Sequence, residues 1–246
     1  MYYMSFTSKT GRLGNQMIRN LAVSLIAEKF NLKVDYVNKE LMDRLGLPLF
    51  SGSTIHSHTL KLTDENYFIM YDQCHSNLDP NDCFFQTKEI TNFLYTYLQT
   101  VKTSMIQKNN FKPRYQKNND LFIHVRLTDV AQYNPGIQYY LNVIRSISFD
   151  NLYLATDDKH HPIIKEIAQL YPVQFIESDE IITMQFASTC KHIVLSHGSF
   201  SSMIGYLSFY STVYYPEYHH TGKLDFSKNI WFGDMFSIPN WVKCKV

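Results

Sequence analysis

LFIHVRLTD, residues 121–129, opens on five residues suited to a buried strand and closes on an arginine, a threonine and an aspartate. In an open α/β sheet, ligands bind just beyond the carboxyl ends of the strands. The segment therefore predicts a central strand over 121–125 and a functional group at Arg126. Similar β-rich runs follow at 152–155, 173–176, 192–195 and 212–215. Between them the apolar residues take helical spacing. One stripe is Tyr139, Tyr140, Val143, Ile144 and Ile147, and a second is Ile163, Ile164, Ile167 and Leu170. A third is Ile181, Ile182, Met184, Gln185 and Ala187, and a fourth is Met203, Ile204, Leu207 and Tyr210. Strands alternating with single helices imply right-handed crossovers and a mostly parallel, doubly wound sheet.

The first half begins in the same way. A strand is expected at 2–6, then a glycine turn, then a buried helix marked by Met17, Ile18, Leu21, Ala22, Leu25, Ile26 and Phe30, then a strand at 32–37. After Leu41 the pattern weakens. Residues 46–58 are rich in turn formers, and only 93–105 reads as helix again. The polar stretch KNNFKPRYQKNND (108–120), with Pro113, reads as a linker. The boundary falls near 110–119, giving domains at 1–115 and 116–246. The tail from Phe226 carries Trp231, Phe232, Phe236 and Trp241, aromatic enough to pack back on the body.

A chain of 246 residues, 45% hydrophobic, can bury one large core or two modest ones. Its 23 basic and 22 acidic residues leave a charge of +1 and no field for a polyanion, so nucleic acid is not an expected partner. Cys74, Cys83, Cys190 and Cys244 form no C-x-x-C pair and read as reduced thiols. With no apolar run near 18 residues and no leader pattern, neither a membrane span nor a signal peptide is expected. A cytoplasmic location follows. The abundant Tyr (18) and Phe (17) are read as core filling before sugar stacking.

Arg126 can grip two phosphate oxygens and cannot lose its charge. Such a group stabilises the charge that grows on a departing diphosphate. SHGSFSS (196–202) follows another strand and opens a helix, so residues Ser199, Phe200, Ser201 and Ser202 bring free N–H groups to an anion; serine is equally a common cap. ATDD (155–158) places Asp157 and Asp158 beyond a third strand, where a carboxylate can accept from a guanine edge or merely close a turn. His124 either reaches a base or stays as a half-buried imidazole. In GRLGNQM (11–17), Gly11 and Gly14 allow close backbone approach, and Arg12 and Asn15 can hydrogen-bond to a ligand. The chain has no D-x-D triplet, which points to leaving-group stabilisation without a metal. His160/His161, His219/His220 and His56/His58 lack a third ligand and read as surface residues. Asp129 is the candidate general base, or else a carboxylate that orients Arg126.

Taken together, G-R-L-G-N-Q-M before a long buried helix, H-V-R with Asp129 three residues on, A-T-D-D and H-G-S-F-S-S resemble the α-1,2-fucosyltransferases of glycosyltransferase family 11. More widely they resemble the α-1,6- and protein O-fucosyltransferases. The close, P-N-W-V-K at 239–243, resembles that of many bacterial members. The resemblance implies a GT-B-like α/β fold of two Rossmann-type domains with mostly parallel, doubly wound sheets facing a central cleft, the N-terminal acceptor domain being reduced. It implies an inverting, metal-independent transfer of fucose from GDP-fucose, as co-substrate, to a glycan hydroxyl, α-1,2 to galactose, in a microbial or viral enzyme.

By the same resemblance Arg126 matches the arginine on the β-phosphate, His124 and Asp157 the guanine contacts, and Ser201 with its neighbours the phosphate-contacting serine. Arg12 and Asn15 match the loop that faces the sugar diphosphate. Most members carry H-x-R-R-x-D. Here Leu127 replaces the second arginine, as an aliphatic residue does in the protein O-fucosyltransferases, and Ser202-Met203 replace the usual tryptophans. Two other readings are another GDP-hexose such as GDP-rhamnose as donor, with Leu127 reshaping the sugar pocket, and a catalytically silent GDP-sugar or carbohydrate binder. A nucleotide-dependent regulatory module is remote, because the chain has no P-loop.

Overall fold

All five residues of 121–125 are buried in the computed structural model of the chain, which describes residues 4–81, 83–217 and 234–246. The chain forms two compact units, Met1–Met105 and Ile106–Val246.

In the first unit, β1 (Ser5–Phe6) leads through a loop into α1 (Leu13–Phe30), and β2 (Val34–Asp35) pairs parallel with β1. Thirteen of the eighteen α1 residues are buried, so this is a central helix and not an amphipathic surface one. Asn31 ends it in the left-handed region at φ 55°. The stretch 39–79, which shows no period in the sequence, contains α2 (Lys39–Leu45), β3 (Thr59–Lys61), α3 (Tyr67–Asp72) and β4 (Asn77–Asp79), with β3 and β4 paired parallel. Elements of three to seven residues are too short to display a periodicity. The strand expected over 32–37 is shorter than its apolar run, and Leu32 bridges to Thr54 instead. Tyr2 and Tyr3 of the expected first strand lie outside the described residues. The helix expected at 93–105 is the middle of α4 (Lys88–Lys108).

The second unit alternates as its sequence predicts. In order come β5 (Leu121–Val125), α5 (Ile137–Ser146), β6 (Leu152–Thr156), α6 (Pro162–Leu170), β7 (Val173–Phe175), α7 (Glu180–Ala187), β8 (His192–Val194), α8 (Ser199–Leu207), β9 (Thr212–Pro216) and β10 (Val242–Cys244). The six strands form one parallel sheet in the order β10-β9-β8-β5-β6-β7. Numbered from β5, that is the Rossmann order 3-2-1-4-5-6 read from the far edge. The direction of winding reverses between β5 and β8, and this is the topological switch point where a crevice opens.

The helices start where local chemistry allows. Asp179 caps α7 by accepting from the Ile182 N–H at 2.8 Å, and α6 opens with Pro162 in its first turn. Helices α5 and α6 share one hydrophobic cluster with β5, β6 and β8, built on Tyr139, Tyr140, Ile144, Ile164 and Ile167. Among the described residues no helix is long and apolar enough to cross a membrane.

The polar stretch 108–120 belongs to the second unit and is fastened there by side chains. Asn109 donates to the Gln185 carbonyl at 2.9 Å and to Ser188 Oγ at 3.1 Å. Arg114 pairs with buried Asp120 at 2.5 Å, donates to Thr189 Oγ1 and lies over the Phe186 ring, 4.5 Å from its centroid.

The C-terminal tail packs within the same unit. Tyr206 donates to the Met235 carbonyl at 2.7 Å, Phe236 is buried, and Trp241 sits against Tyr206 and Tyr215 just before β10. Trp231, Phe232, His219 and His220 lie outside the described residues.

Gly205 makes that seam testable. A Cβ there would come 2.4 Å from Trp241 Cη2 and 3.0 Å from Leu195 Cδ1. In an exposed helix Gly→Ala would add up to about 1 kcal/mol of stability. Here overpacking, typically about 1–3 kcal/mol, reverses the sign. Gly205→Ala is expected to lower the urea midpoint and to red-shift Trp emission as the tail lifts.

Candidate active site

Arg126 is held at both its backbone and its side chain. Its N–H donates to Ser196 Oγ at 3.3 Å across the switch point, and its carbonyl accepts from Asn134 Nδ2 at 2.9 Å. The guanidinium, 15% exposed, places Nε 3.3 Å from Asp157 Oδ2 and pairs Nη2 with Asp129 Oδ1. Nη1 belongs to neither ion pair. A second layer stands behind the first: Asn134 also donates to Tyr140 Oη at 3.0 Å, and the Tyr140 hydroxyl donates to Ser196 Oγ at 3.0 Å.

Asp157, at the end of β6, organises the turn after β5. Its Oδ1 accepts from the Leu127 N–H at 2.7 Å, and its Oδ2 from Thr128 Oγ1 at 2.6 Å. Burial pushes this carboxyl up, but the Thr128 and Leu127 bonds and the Arg126 charge outweigh it and hold the pKa below the usual value. Asp158 is occupied locally, its Oδ1 accepting from the His160 N–H at 2.9 Å. Leu127 is 4% exposed and packs in the hydrophobic cluster, so only its backbone faces the turn.

Helix α8 begins at Gly198, whose φ of 86° and ψ of 163° suit glycine alone. A Cβ there would meet nothing within 4 Å, so the requirement is one of backbone torsion and not of space. No side chain caps this helix. The first N–H groups of an uncapped helix, with its positive dipole end, form an anion cradle. Gly136 opens α5 with nearly the same torsions, φ 84° and ψ 164°. Of the residues expected here, Ser199 and Phe200 are partly exposed, whereas Ser201 and Ser202 are buried. Ser202 Oγ turns inward to the Ser199 carbonyl at 2.9 Å.

Ser201 links this helix to β5. Its Oγ accepts from the Ser196 N–H at 3.1 Å and lies 2.5 Å from His124 Nδ1. This hydroxyl engages Nδ1 in either tautomer and holds the ring in place. Phe200 flanks the ring at 5.2 Å. Burial, with the Arg126 and His197 charges adding to it against the pull of Asp157, pushes His124 down to about 3. His124 is therefore neutral.

Sequence reasoning did not single out Ser196, His197, Asn134 or Tyr140. Ser196 and His197 lie inside S-H-G-S-F-S-S, and the helical spacing of Tyr140 marks only a core position. His197 is 1% exposed, its Nδ1 lies 3.2 Å from Ser196 Oγ, and it is pushed down to about 4 by burial and then by the Arg126 charge.

In the first unit, the 11–17 loop is built around a buried cation. Arg19 donates to the carbonyls of Ser8, Thr10 and Cys83 at 2.9–3.0 Å, and Gln16 donates to those of Lys9 and Gly11. Gly11 has φ 81°, and a Cβ there would fall 2.7 Å from Asn15 Nδ2. Asn15 accepts from Gln86 at 2.8 Å, Gly14 is buried in the first turn of α1, and Arg12 is exposed at its start. Among the described residues no three His, Cys, Asp or Glu side chains gather as a metal site.

No protein-family model matches the sequence, and no curated protein matches it significantly. Solved structures do match. The Escherichia coli heptosyltransferase WaaC, solved with ADP-2-deoxy-2-fluoro heptose, aligns over 98% of this chain and 92% of its own at 9% identity, TM-score 0.50. NodZ, a Bradyrhizobium α-1,6-fucosyltransferase co-crystallised with GDP, aligns over 86% of this chain and 94% of its own at 12% identity, TM-score 0.48. POFUT1 in complex with GDP-fucose aligns over 84% and 93% at 11% identity, TM-score 0.39. The likeness is one of fold: the α/β arrangement shared with GT-B glycosyltransferases.

His124 and His197, the two depressed histidines of the site, predict a pH dependence of stability. Between the ordinary histidine pKa near 6.5 and the folded values of about 4 and about 3, the unfolded chain binds more protons. Their contribution is complete above about pH 6.5 and is lost as pH falls, each with a slope approaching about 1.4 kcal/mol per pH unit. Urea unfolding between about pH 7 and about pH 5 should show this decline, and His197→Gln should remove roughly half of the histidine slope.

Proposed function

We propose that the chain is an inverting, metal-independent glycosyltransferase that moves L-fucose from GDP-fucose to a hydroxyl of a glycan, in α-1,2 linkage to galactose. The observation that carries this reading is the doubly paired Arg126 at the switch point, beside the uncapped start of α8. A fixed guanidinium and a helix start together suit the two phosphates of a leaving diphosphate. The acceptor oxygen bonds to the anomeric carbon as the bond from that carbon to the β-phosphate oxygen breaks. GDP leaves, and the acceptor's proton passes late to solvent or a weak base.

In this reading Arg126 stabilises the growing charge, and the first turn of α8, Ser199–Ser202, carries the second phosphate. The neutral His124 presents Nε2 to the guanine edge. Asp157 keeps Arg126 and the 127–128 turn in place. Asp129, its carboxylate engaged by the guanidinium, orients Arg126. The buried Leu127 side chain supports fucose over another GDP-hexose, because the one departure from H-x-R-R-x-D points into the core and not toward a ligand.

Removing one preorganised donor of this kind costs about 10²–10³ in rate. Arg126→Ala is expected to lose that much in GDP-fucose turnover at unchanged folded content. Arg126→Lys, a point charge in place of a fork, should recover only part of it. Wild-type rates in Arg126→Ala would sink the assignment. GDP-induced thermal stabilisation without GDP release from any donor would identify a silent binder.

A further inference from the structure

A cavity of about 270 Å³ lies at the amino ends of the second unit's strands, the opposite edge of the sheet from Arg126. Its lining includes Asn118 just ahead of β5, Lys191 just ahead of β8 and Ser211 just ahead of β9, together with Tyr115, Gln116 and Tyr210. Nothing in the transfer reaction uses these residues.

The lining chemistry restricts the ligand. No carboxylate faces the cavity, so a cation has no partner there. A single ammonium, Lys191, is too little for a diphosphate. Hydroxyls and amides dominate the wall, which disfavours a lipid chain. Two flat rings remain: Tyr115 and Tyr210 meet edge to face at 5.9 Å, and Tyr210 is 44% exposed. An aromatic face beside alternating donors and acceptors matches a pyranose, which has an apolar C–H face and a rim of hydroxyls.

The walls are already braced. Tyr115 Oη lies 3.0 Å from Ser188 Oγ, Asn118 Nδ2 donates to the Thr189 carbonyl at 2.9 Å, and Ser211 Oγ donates to the Cys190 carbonyl at 2.6 Å. Tyr115 Oη also accepts from Asn109 Nδ2 at 3.0 Å and Asn118 Oδ1 from the Asp120 N–H at 3.1 Å, while the amide of Gln116 and the ammonium of Lys191 stand outside these bonds. Gln116 also holds φ 59°, a left-handed torsion that costs a non-glycine residue and persists where something else fixes it.

We propose that this cavity is a pyranose-binding subsite, taking one sugar ring, neutral or bearing one carboxylate, independently of the donor site. A ligand of that size in an open cavity binds with Kd on the order of 1 mM, which suits saturation-transfer NMR on the full chain. The probes are methyl galactoside, methyl glucoside and methyl glucuronide. Saturation of ring protons is expected, strongest for the glucuronide if Lys191 engages a carboxylate and equal across probes if it engages hydroxyls.

Tyr210→Ala should weaken binding at least about tenfold. Gln116→Gly should weaken it while leaving the thermal midpoint level or raised, an outcome that a merely structural residue would not give. Arg126→Ala should leave it unaltered, separating this site from the transferase reading. No saturation transfer from any probe at about 10 mM, or transfer undiminished in both Tyr210→Ala and Gln116→Gly, overturns the proposal.

Discussion

The carboxylate of Asp157 ties the end of one central strand to the turn after its neighbour. Through Leu127 N–H, Thr128 Oγ1 and Arg126 Nε it converts three mobile groups into one fixed corner. From the other side, Ser196 and Asn134 hold both polar groups of the Arg126 peptide. A guanidinium placed in this way loses little freedom when it meets an anion, and preorganisation is what makes such a group effective in a transition state. The remaining features of the site, from the helix start at Gly198 to the neutral His124, are arranged around that corner.

The electrostatics of the corner are asymmetric. The carboxylates of Asp129 and Asp157 face one part of the guanidinium, and two neutral imidazoles complete the surroundings. The two histidines therefore do not compete with Arg126 as cations. Burial makes this possible, because it holds His124 and His197 uncharged where exposed histidines would begin to repel the arginine.

Much of the second unit was legible because its central strand β5 is an unbroken buried run and its helices are long enough to show a stripe. The start of β5 and the placement of Arg126, His124 and Ser201 beyond or within strand ends followed from that pattern. Strand order did not, because it depends on pairings such as Leu121 with His192 that leave no local trace. Tyr140 illustrates the limit: its spacing marked it as core, and its ring is core, yet its hydroxyl braces Ser196. In the first unit the short strands and helices between 39 and 79 were opaque, since their order comes from neighbours and not from their own periodicity.

The parallel sheet also sets a timetable. β5 lies between β8 and β6, and its β8 partner arrives about seventy residues later in the chain. β10 reaches the edge only after Thr212–Pro216 is in place. Non-local parallel pairing is slow, because loop closure is unfavourable until the partner is present. On the ribosome, therefore, the strand that leads into Arg126 waits half-clothed until β8 has emerged, and the corner around Arg126 closes only then.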